Sequence, residues 1–215
     1  MQKLKIKAGA LTHLTDARYF AAREVEWLGF NVQPGADHFV DPAKLNAIRE
    51  WVAGVKTAGE FELATPEYIR DTIDHCRLDA VHLGHFVPLE TALRIEHTSL
   101  IKEWIVERPF NPDALEQELN IWSAHAAYQL LNFHAADWSW SALRNNYLPI
   151  LRDWCNRHTI LIYMDWNVAD LKDVLEMLQP EGIQVIGSSE EMTGVKSFDE
   201  LDEIFDWLDE WLSNA

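Results

Sequence analysis

KLKIKAGALTHLTDARYFAAREVEWLGFNV, residues 3–32, holds one full period of the pattern that decides the fold. Its two ends, KLKIKAG (3–9) and EWLGFNV (26–32), are short and apolar in the manner of buried strands, and the residues between, near 15–24, space their apolar side chains as a helix does. A strand, a helix and a second strand in about thirty residues make a unit whose strands run parallel. The same period continues outward from this stretch. Further strand-like segments fall at 54–61, 79–84, 100–107, 128–133, 159–164 and 183–188, with helical patterns near 42–53, 65–76, 88–95, 112–123, 139–157, 167–178 and 197–213. Helix starts are marked by Thr15 before an acid, Asp41-Pro42, Thr65-Pro66-Glu67, Asn111-Pro112-Asp113 and Ser197 before Asp199-Glu200. At each, a side-chain oxygen followed by proline or an acid suits the free amides and the helix dipole.

Eight strand–helix units in 215 residues leave about 27 residues per unit, near the lower limit for a closed (β/α)8 barrel. An open doubly wound parallel sheet uses the same alternation and is the alternative, but no strand is followed by a glycine-rich phosphate turn. No linker or low-complexity tract interrupts the pattern, so one barrel domain over residues 1–215 is expected.

Composition narrows the function. The chain is 48% hydrophobic and 25% charged, without an apolar run long enough to span a bilayer. The N-terminal segment has no apolar core of a secretory signal, which makes the cytoplasm the expected compartment. Two cysteines, Cys76 and Cys155, lie in helical patterns and suit core filling in a reducing compartment. Eighteen basic against 35 acidic side chains give a net charge of −17, which disfavours nucleic acid and anionic lipid as partners. The late acidic run DELDEIFDWLDEW (199–211) reads as the wet face of an amphipathic helix whose apolar stripe runs from Phe198 to Leu212.

KIKAGALTHLTDARYFAAREVEWLGFNV (5–32) followed by DHFVDPAKLNAI (37–48) resembles the phosphoribosylanthranilate isomerase family, whose members read K-I-C-G-(I/L)-T, then E-D-A, L-G-F and S-x-R-Y-V-x-P. Asp16-Ala17, Leu28-Gly29-Phe30 and Phe39-Val40-Asp41-Pro42 keep that register. Weaker likeness continues through KTAGEF (56–61), LDAVHL (78–83) and GSSEEMTGVKSFDEL (187–201). The resemblance implies a (β/α)8 barrel of tryptophan biosynthesis. It also implies an Amadori rearrangement, in which a carboxylic acid protonates the ribose ring oxygen, a thiolate takes the C2 proton and two loops hold phosphate.

Most of that chemistry does not carry over. The family's cysteine falls on Ala8 or Gly9, and its aspartate on Asn132, which has no acidic proton to give. Its substrate-binding arginine falls on His38. The glycine-rich loop after strand six becomes His134-Ala135-Ala136-Asp137-Trp138, and the phosphate turn after strand seven becomes Tyr163-Met164-Asp165-Trp166. Ser188 and Ser189 survive from the loop after strand eight. The expectation is a relative that has lost the isomerase chemistry and binds a small molecule or protein at the barrel mouth. A working isomerase with substitute residues and a repurposed, metal-assisted enzyme are the alternatives.

Barrel enzymes build their sites from the C-terminal strand ends. Those ends offer His13, Asp37, His38, Glu60, Glu62, His82, His85, Glu107, Asn132, His134, Asp137 and Asp165. Imidazoles and carboxylates in that number suit a divalent metal, with His82, His85 and His134 the candidates. Solvated loops and hydrogen-bonded neutral rings account for them more simply, so no cofactor is expected, with a divalent metal the alternative. Either a monomer or a homodimer is compatible with the Trp207–Trp211 helix.

Overall fold

A computed structural model describes residues 4–95, 98–187, 190–192, 195–196 and 198–213. Eight parallel strands close into a barrel in chain order: β1 (Lys5–Gly9), β2 (Trp27–Asn31), β3 (Lys56–Phe61), β4 (Ala80–Leu83), β5 (Ser99–Ile105), β6 (Tyr128–Asn132), β7 (Ile160–Tyr163) and β8 (Gly182–Ile186). Closure is made by β1 on β8, paired from Lys5↔Gly182 to Gly9↔Ile186. The expected barrel is therefore present, and the open sheet is not.

Helices α1 (Leu14–Ala22), α2 (Pro42–Arg49), α3 (Pro66–Cys76), α4 (Leu89–Ala92), α5 (Pro112–Trp122), α6 (Trp140–Arg157), α7 (Val168–Leu178) and α8 (Asp199–Ser213) follow the strands in turn. Three expected caps form: Asp41 accepts from the Ala43 amide (2.8 Å), Thr65 from Tyr68 (3.3 Å) and Asn111 from Ala114 (3.2 Å). Helix α1 differs. It begins at Leu14 with His13 in the capping position, so Thr15 lies inside the first turn. The reason lies upstream, where Leu11 N bonds Gly29 O at 2.9 Å and completes the turn out of β1 before Thr15 is reached. Ser197 lies outside the described residues. Helix α4 is a single turn, shorter than the 88–95 pattern. A hairpin, β9 (Glu190–Met192) with β10 (Val195–Lys196), and a 3₁₀ turn, His134–Ala136, are additions to the expected elements.

Alternation along the strands sorts side chains into two cores. Ile6, Ala8, Leu28, Phe30, Val81, Leu131, Ile162 and Val185 face the helices. Trp27, Ala58, Ala80, Ile101, Leu130, Leu161 and Tyr163 fill the lumen, the two alanines making room for the indole. On α8 the apolar stripe is buried at Leu201, Ile204, Phe205 and Leu208. Its acid faces outward, tied to α1 through Arg23–Asp206 (2.7 Å) and Tyr19–Asp202 (2.8 Å). Cys76 is buried and Cys155 half-buried, both as free thiols. Among the described residues no helix is long and apolar enough to cross a membrane.

Candidate functional site

Above the apolar lumen lies a charged layer drawn from six strands. Lys7 on β1 is fully buried; its ammonium pairs with Glu60 on β3 and donates to Gln184 Oε1 on β8 at 2.8 Å. Glu60 also accepts from the Ala10 amide through Oε2 (3.1 Å). His82 on β4 stands between two carboxylates, its Nδ1 3.7 Å from Glu60 Oε1 and its Nε2 3.4 Å from Glu103 Oε2 on β5. Glu103 in turn accepts from Asn132 Nδ2 on β6 at 2.6 Å, while Asn132 Oδ1 receives the Ala135 amide at 3.0 Å. Gly29 makes this packing possible, because a Cβ there would collide with Glu60 Oε1 and lie 2.9 Å from Lys7 Nζ.

The electrostatics are internally balanced. Burial alone would raise the Glu60 pKa, but Lys7 and His82 override it and hold the carboxyl well below its usual range. Burial would likewise raise Glu103, and contacts with His82 and Asn132 leave it below its ordinary value. His82 is opposed by burial and by Lys7, yet the two carboxylates raise its pKa. An imidazolium presents a donor to each carboxylate, whereas a neutral ring would turn a lone pair on one of them. Lys7 and the His82 ring face the two carboxylates from opposite sides.

Nearer the surface, His134 Nδ1 meets Asp165 Oδ1 at 2.6 Å, and the imidazole stacks on Tyr163 with centroids 4.8 Å apart. Burial first, then the nearby carboxylates, push the Tyr163 phenol pKa upward. Two indoles lie over neighbouring strand ends. Trp138 Nε1 donates to Val106 O and Trp166 Nε1 to Gln184 O, both at 2.8 Å. Asn167 caps α7 by accepting from the Asp170 amide at 2.9 Å.

Of the expected site residues, the structure joins Glu60, His82 and Asn132 into the lumen cluster and pairs His134 with Asp165. Gly9 faces the lumen, close to Gln184 and Glu60, whereas Ala8 packs outward against the helices. His13 and His38 are exposed, the latter at a positive φ of 59°. His85 turns away from the lumen cluster: its Nδ1 accepts from the Ile105 amide at the end of β5 (3.1 Å), and its ring sits edge-on to Trp104, which faces the helices. The proposed metal trio is thus not brought together, and no group of three or more potential ligands is placed around a common point among the described residues. Ser188 and Ser189 fall outside those residues. Lys7, Glu103 and Gln184 were missed, since a search of strand ends passes over side chains that enter the lumen from within a strand; Tyr163, at the end of β7, was read only as part of the phosphate turn. Charged letters inside apolar strands, KIKAG and LIKEWI, were the available signal.

No family model matches the chain, and no curated protein matches it. Solved structures do. The phosphoribosyl anthranilate isomerase from Thermus thermophilus superposes with a TM-score of 0.76 at 24% identity, covering 97% of this chain and 100% of its own. That from Thermotoga maritima gives 0.78 at 21%, covering 96% and 99%. A type I 3-dehydroquinate dehydratase from Clostridium difficile also matches, with 0.67 at 12% over 98% and 94%. At these identities the likeness establishes the fold, which proteins of unlike activity share.

Proposed function

We propose that this chain is a divergent relative of phosphoribosylanthranilate isomerase that has set the isomerisation aside and binds a small ligand or partner at the barrel mouth. One observation carries the reading: the carboxylates entering the lumen are already held, Glu60 by Lys7 and the Ala10 amide, Glu103 by Asn132 and His82. A general acid needs a proton to release near neutral pH, and both groups are held ionised. The position of the family's base is Ala8 or Gly9, and neither bears a titratable atom.

Phosphate recognition supports the same conclusion. The family's phosphate loops present free amides, whereas here Trp138 and Trp166 lie on the strand ends and Asp137 and Asp165 are exposed beside them. A carboxylate 4 Å from a phosphate charge opposes binding by about 4 kcal/mol at intermediate dielectric, against about 1 kcal/mol for an ordinary hydrogen bond. One solved neighbour is a complex with reduced 1-(o-carboxyphenylamino)-1-deoxyribulose 5-phosphate. Calorimetric titration of this chain with that compound, and with inorganic phosphate, is expected to give no saturable heat at millimolar concentration. Saturable binding of either compound would revive the working isomerase.

A second reading, a repurposed enzyme, draws on the His134–Asp165 pair, because a carboxylate on Nδ1 orients the imidazole as a base through Nε2. It requires that His134→Ala abolish turnover of some substrate while leaving the fold intact.

A further inference from the structure

Between the turns after β4 and β5 and helix α5 lies a recess that shares no lining residue with the lumen cluster. Because α4 is one turn long, the helix layer is thin beside β5. The recess opens there with a volume of about 670 Å³, within the range of small-molecule sites. A row of rings lines it: Phe86 against His85 (centroids 4.8 Å), His85 against Trp104 (5.9 Å) and Trp104 against Trp122 (6.0 Å). Phe86 is 67% exposed, although it is among the largest apolar side chains of the protein.

The polar groups of the recess select a charge. Lys102 lies in its floor, 1% exposed, and its three donors go to the carbonyls of Gly84 (2.7 Å), His85 (2.8 Å) and Val87 (3.0 Å). Its ammonium also sits over the Trp104 and Trp122 rings, at 4.6 and 4.9 Å. An incoming anion would therefore find no hydrogen to accept from Lys102. Glu107 and Glu118, both exposed, line the same recess and have no hydrogen-bond or ion-pair partner among the described residues. They would repel that anion, as would the net charge of −17.

From this we infer a second binding site, for an aromatic amine or similarly apolar monocation, with its ring on Phe86 and at the edges of the Trp104 and Trp122 indoles, and its ammonium at Glu107 and Glu118. The site contains none of the lumen cluster and neither His134 nor Asp165, so it does not depend on what binds at those residues. Rings supply apolar area and specific edge contacts, and free carboxylates set the sign of the ligand.

The test is a ¹H–¹⁵N NMR titration with 2-phenylethylamine, 2-phenylethanol and phenylacetate as probes, following the indole resonances of Trp104 and Trp122. The amine is expected to saturate those shifts with a Kd about tenfold below that of the alcohol, the acid binding most weakly. The double variant Glu107→Gln/Glu118→Gln, at exposed positions the fold does not use, is expected to bring the amine to the alcohol's affinity. Phe86→Ala should weaken both, and His134→Ala at the mouth should weaken neither. Equal affinities for amine and alcohol, preference for the acid, absence of saturation, or shifts confined to the mouth would each overturn the inference.

Discussion

Lys7 is the residue on which the polar lumen turns. Its ammonium holds Glu60 and Gln184, and through Glu60 it reaches His82 and Glu103. Lys7→Met leaves a buried carboxylate without its main counter-charge and is expected to cost about 3–5 kcal/mol in urea unfolding. Adding Glu60→Gln should recover part of that loss, which a double-mutant cycle measures directly. Ala10 offers the opposite sign. It sits at φ 54° so that its amide can meet Glu60, a left-handed conformation that glycine adopts without the Cβ clash. Ala10→Gly should therefore stabilise the fold by about 0.5–1 kcal/mol in the same assay. These roles were only half legible beforehand. Asn132 and Glu60 stand where strand-end reasoning looks, while Lys7 and Glu103 lie within strands, and only the inward phase of alternation distinguishes them from Ala8 or Lys102.

Among elements, the strand-to-helix turns carry both the sequence signals and the altered chemistry. Asp41, Thr65 and Asn111 were readable as caps because each side-chain oxygen acts on an amide two or three residues away, a purely local matter. Helix α1 starts one residue ahead of Thr15, and the bond from Leu11 to Gly29 that ends the turn out of β1 is long-range, beyond any local signal. The indoles of Trp138 and Trp166 illustrate the same limit. Their presence in the loops was plain, but their bonds to Val106 and Gln184 join elements far apart in sequence. If the proposed reading holds, Gly9→Cys with Asn132→Asp, which places a thiol and a carboxyl at the positions the family resemblance implies, is expected to leave isomerase turnover undetectable, because on that reading both turns still exclude phosphate. The cysteine is also poorly accommodated, its Cβ lying 3.0 Å from Gln184 and 3.2 Å from Glu60. Turnover in that double variant would show that the turns are not the obstacle.

Across the whole molecule, the order of strands was legible because eight repeats of one local pattern leave few topologies, and the want of a glycine-rich turn after any strand favoured the barrel over the open sheet. Its charge cluster was not, because it exists only once six strands have closed. That cluster makes a global prediction. Glu60 and Glu103 have folded pKa values depressed below 4.5, so their contribution is present above that value and lost as pH falls beneath it. His82 is raised above 6.5, so its contribution is full below 6.5 and fades as pH climbs through the folded value. Urea midpoints from about pH 3 to about pH 9 should be highest between those limits, and His82→Gln should flatten the alkaline side.

The most direct measurement is the rate at which the purified protein isomerises phosphoribosylanthranilate, followed by the decay of substrate fluorescence beside a known isomerase at equal concentration. On the proposed reading neither general acid nor base is present, a loss of about 10²–10⁴-fold for each, so turnover is expected to stay indistinguishable from the uncatalysed background. A rate within about a hundredfold of the reference enzyme would contradict the loss of isomerase chemistry and return the lumen cluster to the role of a working active site.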